Sequence, residues 1–130
     1  MREPPLGRQR SAMELLVFYP SDAHPKTRHF DGPDALALQQ AVGGAAGVVP
    51  GFNSIALQGT IQRCVAYWDE GAKQSGRPVN VWATTLWHMA LRRDGYERGL
   101  RRPDGKSADW LAGNVAVVLS AQPSRRRRAG

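Results

Sequence analysis

The sequence predicts an α+β fold, built as a single small domain. Three observations carry that reading. "MELLVFYP" and "IQRCVAYW" have the length and apolar patterning of strands. Two other stretches repeat apolar residues at helical spacing and end near glycine. At 130 residues, with 42% hydrophobic and 22% charged residues, the chain suits one domain with one modest core.

In chain order, the first strand begins at Met13. Leu15, Val17 and Tyr19 take one face and Leu16 and Phe18 the other, and Pro20 ends it. "SDAHPKTRHFDG" reads as a loop by composition. The first helix follows, with Asp31 or Gly32 as cap, Pro33 in the first turn and Asp34 complementing the dipole. Ala35, Leu38, Ala41 and Val42 share a face of it. Gly43 is expected in the left-handed conformation that closes a helix, and Gly44 lets the chain turn back close against it.

"AAGVVPGF" and "SIALQG", residues 45–52 and 54–59, read as a second strand interrupted by a bulge at Pro50-Gly51. The third strand, 61–68, alternates Ile61, Arg63, Val65 and Tyr67 against Gln62, Cys64, Ala66 and Trp68. After the turn-forming "DEGAKQSGRP", Asn80 caps a second helix from Val81 to Arg93, which Asp94-Gly95 ends. A long polar loop over 95–109 carries Arg98, Arg101, Arg102 and Lys106. "WLAGNVAVVLS" is the last strand, with Val115, Val117 and Leu119 inward. The order is β-α-β-β-α-β, the ferredoxin-like sequence of elements. The domain is expected over 13–122, between a disordered leader (1–12) and a disordered Arg-rich tail (123–130).

The net charge of +7 is concentrated in those ends. Arg2, Arg8 and Arg10 lie in the leader and Arg125, Arg126, Arg127 and Arg128 in the tail, which leaves 11 basic against 10 acidic residues between Met13 and Gln122. Such a tail can hold phosphate backbones without sequence preference. No apolar run reaches the length of about 18 residues that reads as a membrane helix, and "MREPPLGRQRSA" has no signal-peptide core. The single Cys64 forms no internal disulfide, so the cytoplasm of the host cell is the expected compartment.

Three pieces, "LQQAVGG", "YWDEGAKQSGRPVNVWAT" and "DWLAGNVAVV", together resemble a family of small domains of unknown function common in bacteriophages and plasmids. The matching residues are Gln39, Val42, Gly43 and Gly44; Asp69, Glu70 and Gly71; Pro78, Asn80, Ala83 and Thr84; and Gly113. The resemblance spans about residues 13–121. Members often carry an aromatic and an acidic residue soon after the glycine pair, where this chain has Ala45, Ala46 and Gly47. What the resemblance implies is a mobile-element source rather than a chemistry.

No catalytic, metal or cofactor site is expected. His24, His29 and His88 lack ligand spacing, and Lys26 and Arg28 would repel a cation. Cys64 faces a core, where thiols are inert. Asp69 and Glu70 are neighbours that suit a turn better than shared proton transfer, and "VGGAAG" follows a helix where a phosphate loop would precede one. Trp68, Trp82, Trp87 and Trp110 suit a core or an interface, and can also stack bases.

The expected function is therefore non-enzymatic binding of a host or phage partner, in its most concrete form the countering of a host defence. The alternatives are a nucleic-acid accessory protein using the Arg tail and basic loop, and a small-nucleotide sponge at an oligomer interface. A homodimer is expected, because the second helix spreads Trp82, Leu86, Trp87 and Met89 over a wide arc. A ferredoxin-like sheet would also leave one face uncovered.

Overall fold

The computed structural model describes residues 12–95 and 109–120. The leader arginines, Arg98, Arg101, Arg102 and Lys106 of the loop, and Arg125, Arg126, Arg127 and Arg128 lie outside the described residues. Within them the elements are β1 (Ala12–Phe18), β2 (Lys26–Asp31), α1 (Asp34–Val42), β3 (Ala46–Val48), β4 (Ser54–Leu57), β5 (Thr60–Asp69), α2 (Val81–Arg93) and β6 (Val115–Leu119). The α+β class holds. The sheet is curled and every pairing in it is antiparallel, in the order β2-β1-β6-β5-β3, with β4 also on β5.

The topology departs from the ferredoxin-like expectation. A split β-α-β unit keeps the strands before and after each helix parallel, with another strand between them. Here β5 and β6, the strands joined through α2, pair directly from Cys64↔Leu119 to Trp68↔Val115. The reason lies in the return from α2. Leu111 accepts from the Asn80 N–H at 2.8 Å, beside the start of the helix, and Ala112 bridges Val79. The chain has come back along α2 before β6 begins, so β6 enters at the end of the sheet where β5 left.

A second correction concerns the segment read as loop. Lys26–Asp31 is β2, paired with β1 from Ala12↔Asp31 to Val17↔Lys26. It is an edge strand exposed along all of its length except Phe30, so neither face needed the apolar alternation that marks a buried strand. β1 itself starts at Ala12, one residue before the expected boundary.

Two smaller differences lie in α1. Its N-cap is Pro33, with no side-chain cap, rather than Asp31 or Gly32. Its buried residues are Ala37, Leu38, Ala41 and Val42, and Ala35 is exposed. Gly43 closes the helix at φ 81°, ψ 22°, as expected. The interruption falls where it was read, but it is a turn rather than a bulge, and it divides the segment into two strands. β3 and β4 both run along β5, joined by a turn in which the Phe52 N–H reaches Val49 O and Gly51 has φ +77°. Pro at the first central position and a positive-φ glycine at the second are what a type II turn requires. The Trp87 indole donates to Pro50 O at 2.8 Å and pins the detour to α2.

The core has two layers, one on each face of the sheet. Leu15 and Val17 of β1 and Ala116 of β6 pack with Leu38, Ala41 and Val42 of α1. Phe18 of β1 and Val115 and Val117 of β6, on the opposite side of those strands, pack together with Cys64 and Ala66 of β5 against Ala83, Leu86, Trp87, Ala90 and Leu91 of α2. The helices therefore take opposite faces. Each face thus has a helix on it, where the ferredoxin-like layout would leave one bare, while Ile61 and Val65 of β5 stay exposed on the α1 side. The apolar arc of α2 is filled from within the chain by Ala83, Leu86, Trp87, Ala90 and Leu91, with Trp82 and Met89 exposed.

Candidate functional site: a groove between two hairpins

The three sequence pieces that carry the family resemblance meet in space, and what they build is structural. The Arg77 guanidinium donates to Val42 O at 3.1 Å and Gly43 O at 2.8 Å, and lies 3.4 Å from Asp69 Oδ2. A cation there meets the negative end of the α1 dipole. Asp69 is buried at the end of β5 and also accepts from Gly71 N at 2.9 Å. Gly44 makes room for it, since a Cβ there would stand 2.5 Å from the Asp69 carboxyl carbon. Glu70 is exposed and lies over Gly47. Asn80 is fully buried and fully engaged: Oδ1 accepts from Ala83 N at 3.1 Å, and Nδ2 donates to Phe18 O and Gly113 O, both at 2.9 Å. One amide caps α2 and ties β1 to the approach of β6.

Other reactive side chains are held in the same way. Burial pushes the Cys64 thiol up to about 11, and its Sγ lies 3.6 Å from Phe52 O. His88 Nε2 donates to Asp109 O at 2.8 Å, and His29 lies 3.2 Å from Glu14 across β1 and β2. Lys73 pairs with Asp109 and sits over the rings of Trp68 and Trp110, at 5.6 and 4.1 Å from their centroids. Two of the four tryptophans thus clamp a lysine. Among the described residues no three His, Cys, Asp or Glu side chains gather as metal ligands.

The surface that none of these contacts uses is a groove of about 560 Å3 on the α2 face of the sheet. One wall is the β1–β2 hairpin, with Leu16, His24, Pro25 and Thr27. The other is the β4–β5 hairpin, with Ala56, Leu57, Gln58 and Gln62. Trp82 and Leu86 of α2 form the floor. The curl of the sheet brings the two hairpins face to face across β6. Gln58 and Gly59 make the two-residue turn between β4 and β5, at φ 51° and 81°. That is a type I′ pattern, which favours Asn-Gly. Gln58 is the positive-φ residue other than glycine among those described.

The groove divides the residues expected at an interface. Trp82 is 43% exposed and lies in it, and Leu86 reaches it from the core. Trp87 is 1% exposed and belongs to the core, which corrects its reading as an interface residue. Met89 is 39% exposed on α2 and does not line the groove. The tail arginines fall outside the described residues. Sequence reasoning missed His24, Thr27, Gln58 and Gln62 as groove residues. The available signals were a Gln-Gly turn between "SIAL" and "TIQR", and the position of Gln62 on the Cys64 side of the alternation.

No helix among the described residues is long and apolar enough to cross a membrane. No family model, curated protein or solved structure matches the chain.

Proposed function

We propose that the protein is a non-enzymatic binding domain that meets its partner at the groove over Trp82. The observation that carries this is a contrast in hydrogen bonding. Asp69, Arg77, Asn80, His88 and Lys73 are all spent on holding the fold together. The polar ends of His24, Thr27, Gln58, Gln62 and Trp82 form no hydrogen bond with any described residue, and they surround one concavity. Apolar walls with a few convergent polar groups are the usual make-up of a ligand site.

The source we propose, a phage or other mobile element, rests on the resemblance of the three sequence pieces. Countering a host defence is the corresponding role. Capture from host cytoplasm tests the reading: Trp82→Glu loses the partner, while a chain ending at residue 122 keeps it. Equal capture by Trp82→Glu and the parent overturns it. Loss on truncation, with binding that weakens steeply in salt, favours the nucleic-acid reading through Arg125–Arg128 instead.

A second reading uses the same helix. Val81, Trp82 and Met89 are exposed along one side of α2 and offer a strip for self-association. Sedimentation at micromolar concentration, compared with Met89→Glu, decides it: a dimer that the substitution dissolves supports the strip, and a 14.2 kDa species in both removes it.

A further inference from the structure

We infer that the groove takes an uncharged planar heterocycle with a hydrogen-bonding edge, of the nucleobase class, stacked on Trp82. The inference rests on the groove being the binding site and names what it binds.

The argument begins with what the walls lack. Among the described residues no Lys, Arg, Asp or Glu lines the groove, so none of them offers a phosphate or a cation a charge partner there. What they offer is the indole of Trp82, a residue 43% exposed, beside the apolar Leu86. Aromatic faces hold bases by stacking, whatever the base. Around that face stand two carboxamides, Gln58 and Gln62, with the Thr27 hydroxyl and the His24 imidazole. Each carboxamide presents a donor beside an acceptor, which is the pattern a base edge presents in return. An aliphatic or phenyl side chain from a peptide would fill the same space and leave those amides unpaired, which costs free energy. The volume of about 560 Å3 falls within the range of roughly 300–1,000 Å3 seen for small-molecule sites.

Gln58 supplies a separate indication. It holds φ 51° at a turn position where glycine or asparagine is the unstrained choice. Strain of that kind points towards a use for the side chain. Gln58 is one of the residues that line the groove.

A base can arrive as a free nucleoside or nucleotide, or unstacked from a single strand. With no cation among the described lining residues, nucleoside and nucleotide are expected to bind alike and with little dependence on salt. The test is titration of the full chain with each common nucleoside, its monophosphate and a short single-stranded oligonucleotide. The readout is the indole N–H resonance that disappears in Trp82→Phe. The expected result is saturable binding of at least one nucleoside, weakened about tenfold or more in Trp82→Ala and altered in base preference by Gln62→Leu. Circular dichroism shows whether each variant is folded. An oligonucleotide binding more tightly than its nucleoside, with the same Trp82 dependence, identifies a strand as the source. No nucleoside binding up to about 10 mM, or binding indifferent to Trp82→Ala, overturns the inference. If Trp82→Glu still loses the captured partner in that case, the groove stands and only the ligand class falls.

Discussion

The Arg77 side chain closes a helix that begins 43 residues before it, donating at 2.8 Å to the carbonyl of Gly43. Both residues are needed for the contact. The glycine supplies the left-handed turn, and a Cβ on it would stand 2.8 Å from Arg77 Nη1. Arg77→Met removes a charged donor from two carbonyls and leaves buried Asp69 without its cation. The expected loss is about 1.5–3 kcal/mol, read from urea unfolding. Gly43→Val adds backbone strain to the clash, at a cost of roughly 1–3 kcal/mol. The two losses should not add, because the second substitution acts on a contact already broken. An unchanged unfolding midpoint in either variant contradicts this account of the helix end.

Trp82 and Trp87 lie five residues apart and should behave as opposites. Trp87 is core and ties down Pro50, so Trp87→Ala is expected to cost about 3–5 kcal/mol. Trp82 is 43% exposed, and Trp82→Ala should cost less than about 1 kcal/mol. Thermal melts of the two variants check the assignment of core and groove. Equal losses would mean that Trp82 is a core residue.

The contrast also marks how far the sequence could be read. β1 was legible as a continuous apolar run because both its faces are buried, and β5 as an alternating one because Cys64 and Ala66 are buried while Ile61, Arg63 and Val65 are exposed. Asn80 was legible because capping is local chemistry. β2 was not, since an edge strand with five exposed residues carries no apolar period. The groove was hidden for another reason. Thr27, Gln58 and Trp82 become neighbours only once the strand order and curl are known, and nothing local to any of them encodes it. The same ignorance put Trp87 among the interface residues, because the apolar arc of the second helix was judged against a sheet covered on one face.

Cys64 predicts a pH dependence. Burial raises its folded-state pKa from 9.0 to about 11. Between those values the unfolded chain has released the proton and the folded chain still holds it. Stability from this group is therefore fully present below pH 9 and is lost as pH rises towards 11 and beyond. Two units correspond to about 2–3 kcal/mol. Cys64→Ala should remove that part of the alkaline decline, measured as denaturant midpoints from pH 8 to 11, although it lowers stability where the thiol is still protonated. A decline that is just as steep without the thiol assigns it to other groups.

The last prediction sets stability against binding at one residue. Gln58 is held at φ 51°, and Gly59 beside it at φ 81°. A type I′ turn accepts Gly or Asn at the first position with less strain than Gln. Gln58→Gly should therefore stabilise the domain by about 0.5–1 kcal/mol in urea unfolding, even though glycine enlarges the entropy of the unfolded chain. The same substitution removes one of the two carboxamides from the groove and should weaken nucleoside binding several-fold. Gln58→Asn tests the two effects separately: it relieves the backbone as well, and keeps an amide, though one methylene shorter. It should gain stability and lose less affinity. A variant that gains stability and binds as well as the parent would show that Gln58 is tolerated at the turn rather than used in the groove.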